Sequence, residues 1–231
     1  MKITNPFQEL TKFEWGLWGC SALVVTLSFL FAPDKDYLTL IASLIGVTTL
    51  IFVAKGLVFG QILSVVFSLF YGIISFHFRY YGEMLTYLCM TTPIAIFSII
   101  SWLKNPYKET AVVEVRKQLT RTHILFLGIL SVVITIIFYF ILKAFNTANL
   151  LISTISITTS FLASCLTFLR SPFYACAYAL NDIILIILWV LATIANPAYL
   201  PMIFCFLTFL VNDLYAFFNW KRIEKSQSNN E

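Results

Sequence analysis

This sequence is poor in charge: Asp, Glu, Lys and Arg supply 11% of its 231 residues, against about 25% in soluble domains. That scarcity excludes an ordinary water-soluble globular protein. Histidine is nearly missing, with two copies. His77 and His123 fall near opposite ends of the apolar segments, so they exclude a shared metal site. There is no Gly-rich nucleotide loop, H-E-x-x-H or G-x-S-x-G pattern, which removes support for ATP-driven transport and membrane proteolysis. The five cysteines (Cys20, Cys89, Cys165, Cys176 and Cys205) lie inside apolar segments without metal-ligand spacing and read as packing residues. No cofactor is implied. The net charge of +4 calls for no nucleic-acid partner.

What is present is apolar: hydrophobic residues make up 60% of the chain. Uncharged runs recur from end to end and predict helices at 15–33, 37–54, 57–78, 81–103, 122–142, 147–169, 172–195 and 198–220. Each is near the about 20 residues that a bilayer-spanning helix needs. The alternating segments of about ten residues that build a membrane β-barrel are absent. Of the 15 Lys and Arg residues, only Lys35, Arg79 and Lys143 fall on one side of this eight-helix map. The positive-inside rule then places both termini in the cytoplasm. The first span has no small-residue cleavage site and is expected to stay in the membrane.

The longest polar stretch, 104–121, divides the chain and is expected to contain a short interfacial helix. Sliding the sequence by 118 positions aligns Tyr81 with Tyr199, Met84 with Met202 and Trp102 with Trp220. The second to fourth helices thereby superpose on the sixth to eighth, in parallel orientation. The fold expected is an all-α integral membrane protein with eight transmembrane helices. Within a single membrane domain, 1–222, an extra N-terminal helix (15–33) and a three-helix bundle (37–103) lead into a loop and linker helix (104–146). A second three-helix bundle (147–222) and a tail (223–231) follow. On the same alignment Ser64 stands opposite Asp182, and Ile94 and Ala95 stand opposite Asn212 and Asp213.

Two Asn-Asp pairs, Asn181-Asp182 and Asn212-Asp213, interrupt apolar spans. A carboxylate at that depth costs at least about 2.5–3.5 kcal/mol and by default marks a substrate or ion path. At 1.5 Å per residue both pairs sit roughly 12–15 Å deep. Asp182 and Trp189 are seven apart and so share a helix face, with Tyr178 one turn below. Thr208, Asn212, Tyr215 and Asn219 share another. In the 57–78 helix, Gln61, Ser64, Ser68, Tyr71 and Ser75 form a polar stripe whose larger members favour cavity lining. Ser153, Ser156, Ser160, Ser164 and Thr167 form a second stripe, which reads more simply as close helix packing. Amides, rings and acids together suit a small, planar, hydroxylated cation. The structural alternative is that the acid–amide pairs merely tie helices together. Pro93 is expected to kink its helix beside Tyr87 and Thr91. Tyr81, Glu83 and Trp102 are candidate gate residues, with Glu83 also able to pair with Arg79.

Ala54-Lys55-Gly56, Tyr71-Gly72-Ile73-Ile74-Ser75-Phe76, Tyr81-Gly82-Glu83 and Ser101-Trp102 resemble the first half of the PnuC vitamin transporters. The second half, with Asn181-Asp182, Trp189 and Asn212-Asp213, is similar to their matching bundle. The resemblance spans residues 40–222. It implies a duplicated SWEET-like fold in a bacterial inner membrane that carries nicotinamide riboside by facilitated diffusion, or in some branches thiamine or riboflavin. A cytoplasmic kinase would trap the substrate as its phosphate, and a homotrimer is the assembly the resemblance suggests. By position it implies stacking on Trp189 and Tyr215 and polar contacts from Asn181 and Asn212. A membrane enzyme or assembly factor using buried acids is the competing class, and the depth of the acids with no histidine beside them favours transport.

Overall fold

The structure, a computed structural model, describes residues 5–32, 36–77, 81–108, 110–116 and 118–229. Among these residues it is helical, apart from two isolated antiparallel bridges, Leu57 with Val112 and Pro106 with Val113. The helices are α1 (Lys12–Leu30), α2 (Tyr37–Ala54), α3 (Val58–His77), α4 (Tyr81–Leu85), α5 (Thr92–Lys104), α6 (Arg121–Ala144), α7 (Leu150–Phe168), α8 (Phe173–Ala195) and α9 (Leu200–Asn229). A π-helical turn, Thr86–Thr91, joins α4 to α5. Seven spans, with α4 to α5 counted as one, are long and apolar enough to cross a membrane, and α3 is apolar over Val58–Ile73. The protein is a multi-pass membrane protein.

Local chemistry sets the ends. α1 starts three residues before the expected span because Thr11 and Glu14 form a reciprocal capping box. The Asp36 carboxylate accepts from the amides of Leu38 and Thr39 and opens α2. The fourth crossing is broken, as Pro93 suggested, but by a π turn in which the Thr92 hydroxyl donates to the Tyr87 carbonyl, 2.9 Å away. Among the described residues the expected interfacial helix does not form. Val113 and Val115 alternate with Glu114 and Arg116, an extended pattern, and both valines are buried. The last helix runs past its expected end at 220 to Asn229.

α2 packs on α3 and α3 on α5, while α7 packs on α8 and α8 on α9. Two seams join these groups, α2 against α9 and α5 against α7. α1 lies against both α2 and α9. In the corresponding place, α6 packs Phe138 and Leu142 against Ile157 and Phe161 of α7 and Met90 of the π turn. α1 and α6 thus brace equivalent seams.

The turns after α2 and α7 repeat each other. Gly56 N donates to Val53 O and Leu57 N to Phe52 O, while Arg170 N donates to Thr167 O and Ser171 N to Leu166 O. Gly56 (φ +70) and Arg170 (φ +59) take the left-handed conformation that closes each turn. These pairs are 114 apart, so α3 and α8 are offset by one helical turn from the 118 alignment. The residue equivalent to Asp182 is therefore Ser68 rather than Ser64. Trp102 and Trp220 keep the 118 spacing, and the difference is absorbed between the two markers.

Candidate functional site

A cavity of about 130 Å³ lies between the two groups of helices, lined from α2, α3, the π turn, α5, α7, α8 and α9. Gly46 of α2 lets Phe209 approach so closely that an added Cβ would stand 2.6 Å from the ring. Asp182 and Asp213 both line the cavity and are 3% and 2% exposed. Their carboxyl groups interact across the α8–α9 packing, and Asp182 Oδ2 has no hydrogen-bond partner among the described residues. The first-half counterpart of Asp182 is neutral: Ser68 shares a 2.8 Å hydroxyl–hydroxyl bond with Thr92.

The amides differ in how they are held. Ser156 and Thr159 hydroxyls donate to Asn181 Oδ1 at 3.1 and 2.8 Å. Asn181 is thereby fixed at the cavity wall, and its NH₂ bonds no other described residue. Gln61 also lines the cavity, is 2% exposed, and makes no hydrogen bond to another described residue. The aromatic wall is Phe67, Tyr71 and Tyr87, with Tyr71 and Tyr87 ring centroids 4.7 Å apart, while Tyr178 and Tyr174 stand opposite on α8. Among the described residues no Lys, Arg or His lines the cavity.

Of the residues singled out from sequence, Gln61, Tyr71, Tyr178, Asn181, Asp182 and Asp213 converge on this cavity. Four do not. Ser68 is spent on Thr92. Asn212 donates to Ser21 of α1 at 2.8 Å, and the Tyr215 hydroxyl donates to Glu14 of α1 at 2.6 Å. Trp189 packs on Tyr199, centroids 5.6 Å apart, towards the end of α8 remote from the Arg170 turn. Tyr87, Thr91 and Phe67 complete the wall. Tyr87 and Thr91 were visible beside Pro93, whereas Phe67 gave no signal. The serine stripe of α7 divides: Ser160, Ser164 and Thr167 line the cavity, and Ser156 serves Asn181.

The sequence matches the nicotinamide mononucleotide transporter family over residues 36–222. The chain belongs to this family. The nicotinamide riboside transporter PnuC of Neisseria mucosa is 28% identical over 230 residues, covering 96% of this chain and 86% of that one. The crystal structure of the vitamin B3 transporter PnuC superposes with a TM-score of 0.79 at 26% identity, covering 94% of both chains. These relatives are transporters.

For a transporter, the ends of the cavity matter as much as its walls. At the end that bears Gly56 and Arg170, Trp102 and Trp220 lie 5.5 Å apart and are fully buried. Trp102 Nε1 donates to Thr167 O at 3.0 Å and Trp220 Nε1 to Val53 O at 2.9 Å. Each indole therefore binds the backbone of the opposite helix group. Glu14 reaches Lys55 (3.2 Å) as well as Tyr215, which brings the start of α1 beside α9 near the same end. Glu83 is half-buried, beyond the Tyr71–Tyr87 pair and beside Ser75. The Tyr81 side chain and Arg79, candidates for a gate or ion pair there, lie outside the described residues.

Proposed function

We propose that this protein imports nicotinamide riboside by facilitated diffusion, its two helix groups rocking about the cavity to give alternating access. The observation that carries the reading is the composition of the cavity: an acid pair, two amides with hydrogen-bonding groups that no described residue takes up, and a tyrosine-rich wall, with no cationic side chain among the described residues. Such a site attracts a planar cation, which gains about 0.5–2 kcal/mol against aromatic faces. It also repels a phosphate, because a phosphomonoester brings about −1.5 to −2 charge at neutral pH with no Arg or Lys to receive it. The cavity therefore favours the riboside over the mononucleotide from which the family takes its name.

In this reading Tyr71, Tyr87 and Tyr178 stack on the ligand, and Asn181 and Gln61 bind its carboxamide and ribose edges. Asp182 and Asp213 offset its charge. The end bearing the Lys- and Arg-rich turns faces the cytoplasm of a bacterial inner membrane, by the positive-inside rule. A cytoplasmic kinase would trap the riboside as its phosphate. Thiamine, also a planar cation, is the second reading and is favoured by the same acid pair; riboflavin, which is uncharged, gains nothing from it.

Thermal unfolding of the purified protein with each compound tests the proposal. A ligand at 100 times its Kd adds about 2.7 kcal/mol of stability, roughly 5–10 °C for a chain of this size. Nicotinamide riboside is expected to give such a shift. A shift with thiamine alone would transfer the assignment to thiamine, and a shift with no vitamin would refute it.

A further inference from the structure

We infer that residues 110–116, held by Gln227 of the α9 extension, form a latched strap that keeps the Gly56/Arg170 end of the cavity shut. The inference rests on the reading of the cavity as a transport site. It concerns an element that neither the cavity nor the family match assigns.

The strap ties the two helix groups together at their equivalent turns. Val113 N donates to Gly56 O at 2.9 Å, and Arg116 N donates to Arg170 O at 3.0 Å. Both acceptors are the left-handed residues that end α2 and α7. Only three residues of chain separate the two donors, and three residues reach at most about 10 Å when extended. Separation of the turns at this end, which alternating access requires, must therefore break at least one of these bonds. The Arg170 guanidinium lies 3.9 Å from the Glu114 carboxylate, adding a weak ionic contact at the far turn.

Beneath these bonds the strap is a plug. Val113 and Val115 are buried with Trp102, Trp220, Tyr174 and Ala216, and Tyr174 also lines the cavity. Gln227 then closes the latch: its Oε1 accepts from Val115 N at 2.8 Å and its Nε2 donates to Val113 O at 3.0 Å. The side-chain amide thus pairs with the strap as a neighbouring strand would, and it is buried. Without Gln227, a buried N–H and a buried carbonyl lose their only described partners, and such groups are costly to leave unmade. This explains why α9 runs nine residues beyond Trp220, past any need to cross a bilayer.

The test reads access to the cavity floor and needs no ligand. Ser98 lines the cavity on α5, and Ser98→Cys in a variant with its five native cysteines replaced supplies a single thiol. A membrane-impermeant thiol reagent is applied to vesicles from the side bearing the termini. Gln227→Ala is expected to raise the labelling rate about tenfold. In a Val115→Cys/Gln227→Cys variant carrying Ser98→Cys, a short bifunctional thiol reagent first joins strap to helix. That cross-link is expected to bring labelling at position 98 below the parental rate. Parental labelling rates in both variants would overturn the inference, and if Gln227→Ala does not fold, the cross-linked protein decides alone. Failure of the vitamin assignment would appear in ligand binding and leave these rates untouched.

Discussion

Trp102 and Trp220 stand 5.5 Å apart at the Gly56/Arg170 end of the cavity, each giving its indole N–H to the backbone of the other helix group. The exchange is reciprocal: α5 binds the end of α7 and α9 binds the end of α2. The pair therefore ties the two helix groups together at this end.

Trp102→Phe removes one of these bonds; the Thr167 carbonyl keeps Arg170 N as a donor, so the hydrogen-bond loss is the ordinary net cost of about 0.5–1.5 kcal/mol. Trp220→Phe is expected to cost a similar amount. Because the rings touch, the double variant should depart from additivity by more than about 0.5 kcal/mol. Chemical unfolding of the four proteins in detergent measures this coupling.

The spans and the acid pair were legible in the sequence, because apolar length and a costly carboxylate are local signals. The direction in which each face points was not. Asn212 and Asp213 are neighbours, yet a rotation of about 100° per residue sends one to Ser21 of α1 and the other to the cavity. Trp189 shares a face with Asp182 but lies about 10 Å along the helix, beyond the cavity. Nothing in a helical period identifies the partner helix. The strap was misread because its short alternation of valines was outweighed by the polar residues around it.

Asp182→Asn keeps the size of the side chain and can still hydrogen-bond Asp213, so folded protein should accumulate normally. It removes a charge-assisted contact worth about 1.5–3 kcal/mol, so affinity for nicotinamide riboside should fall roughly 10- to 100-fold. Isothermal titration alongside size-exclusion chromatography separates this from a folding defect. Parallel loss of binding and folded protein would favour a purely structural role.

Gly46→Ala places a methyl group against the Phe209 ring. The ring tip is the partner that must shift, and Gly46 and Phe209 both line the cavity. Binding is expected to weaken, with a smaller change in unfolding temperature, in the same titration and thermal scan.

Glu14→Ala tests the role of α1 as a brace. Glu14 is buried and holds both Lys55 and Tyr215. Its loss strands both partners at a cost of about 2 kcal/mol, below the range for a fully buried pair because Lys55 reaches solvent. The unfolding temperature should fall by roughly 4–8 °C. Lys55→Met, which leaves the Tyr215 bond in place, should cost less.

The central claim is that an acid pair, with no cationic side chain around it, selects a cationic nucleoside. The most direct measurement is titration of the purified protein with nicotinamide riboside and with nicotinamide mononucleotide under identical conditions. The account predicts saturable binding of the riboside and at least about 100-fold weaker binding of the mononucleotide. Equal or tighter binding of the mononucleotide would contradict it.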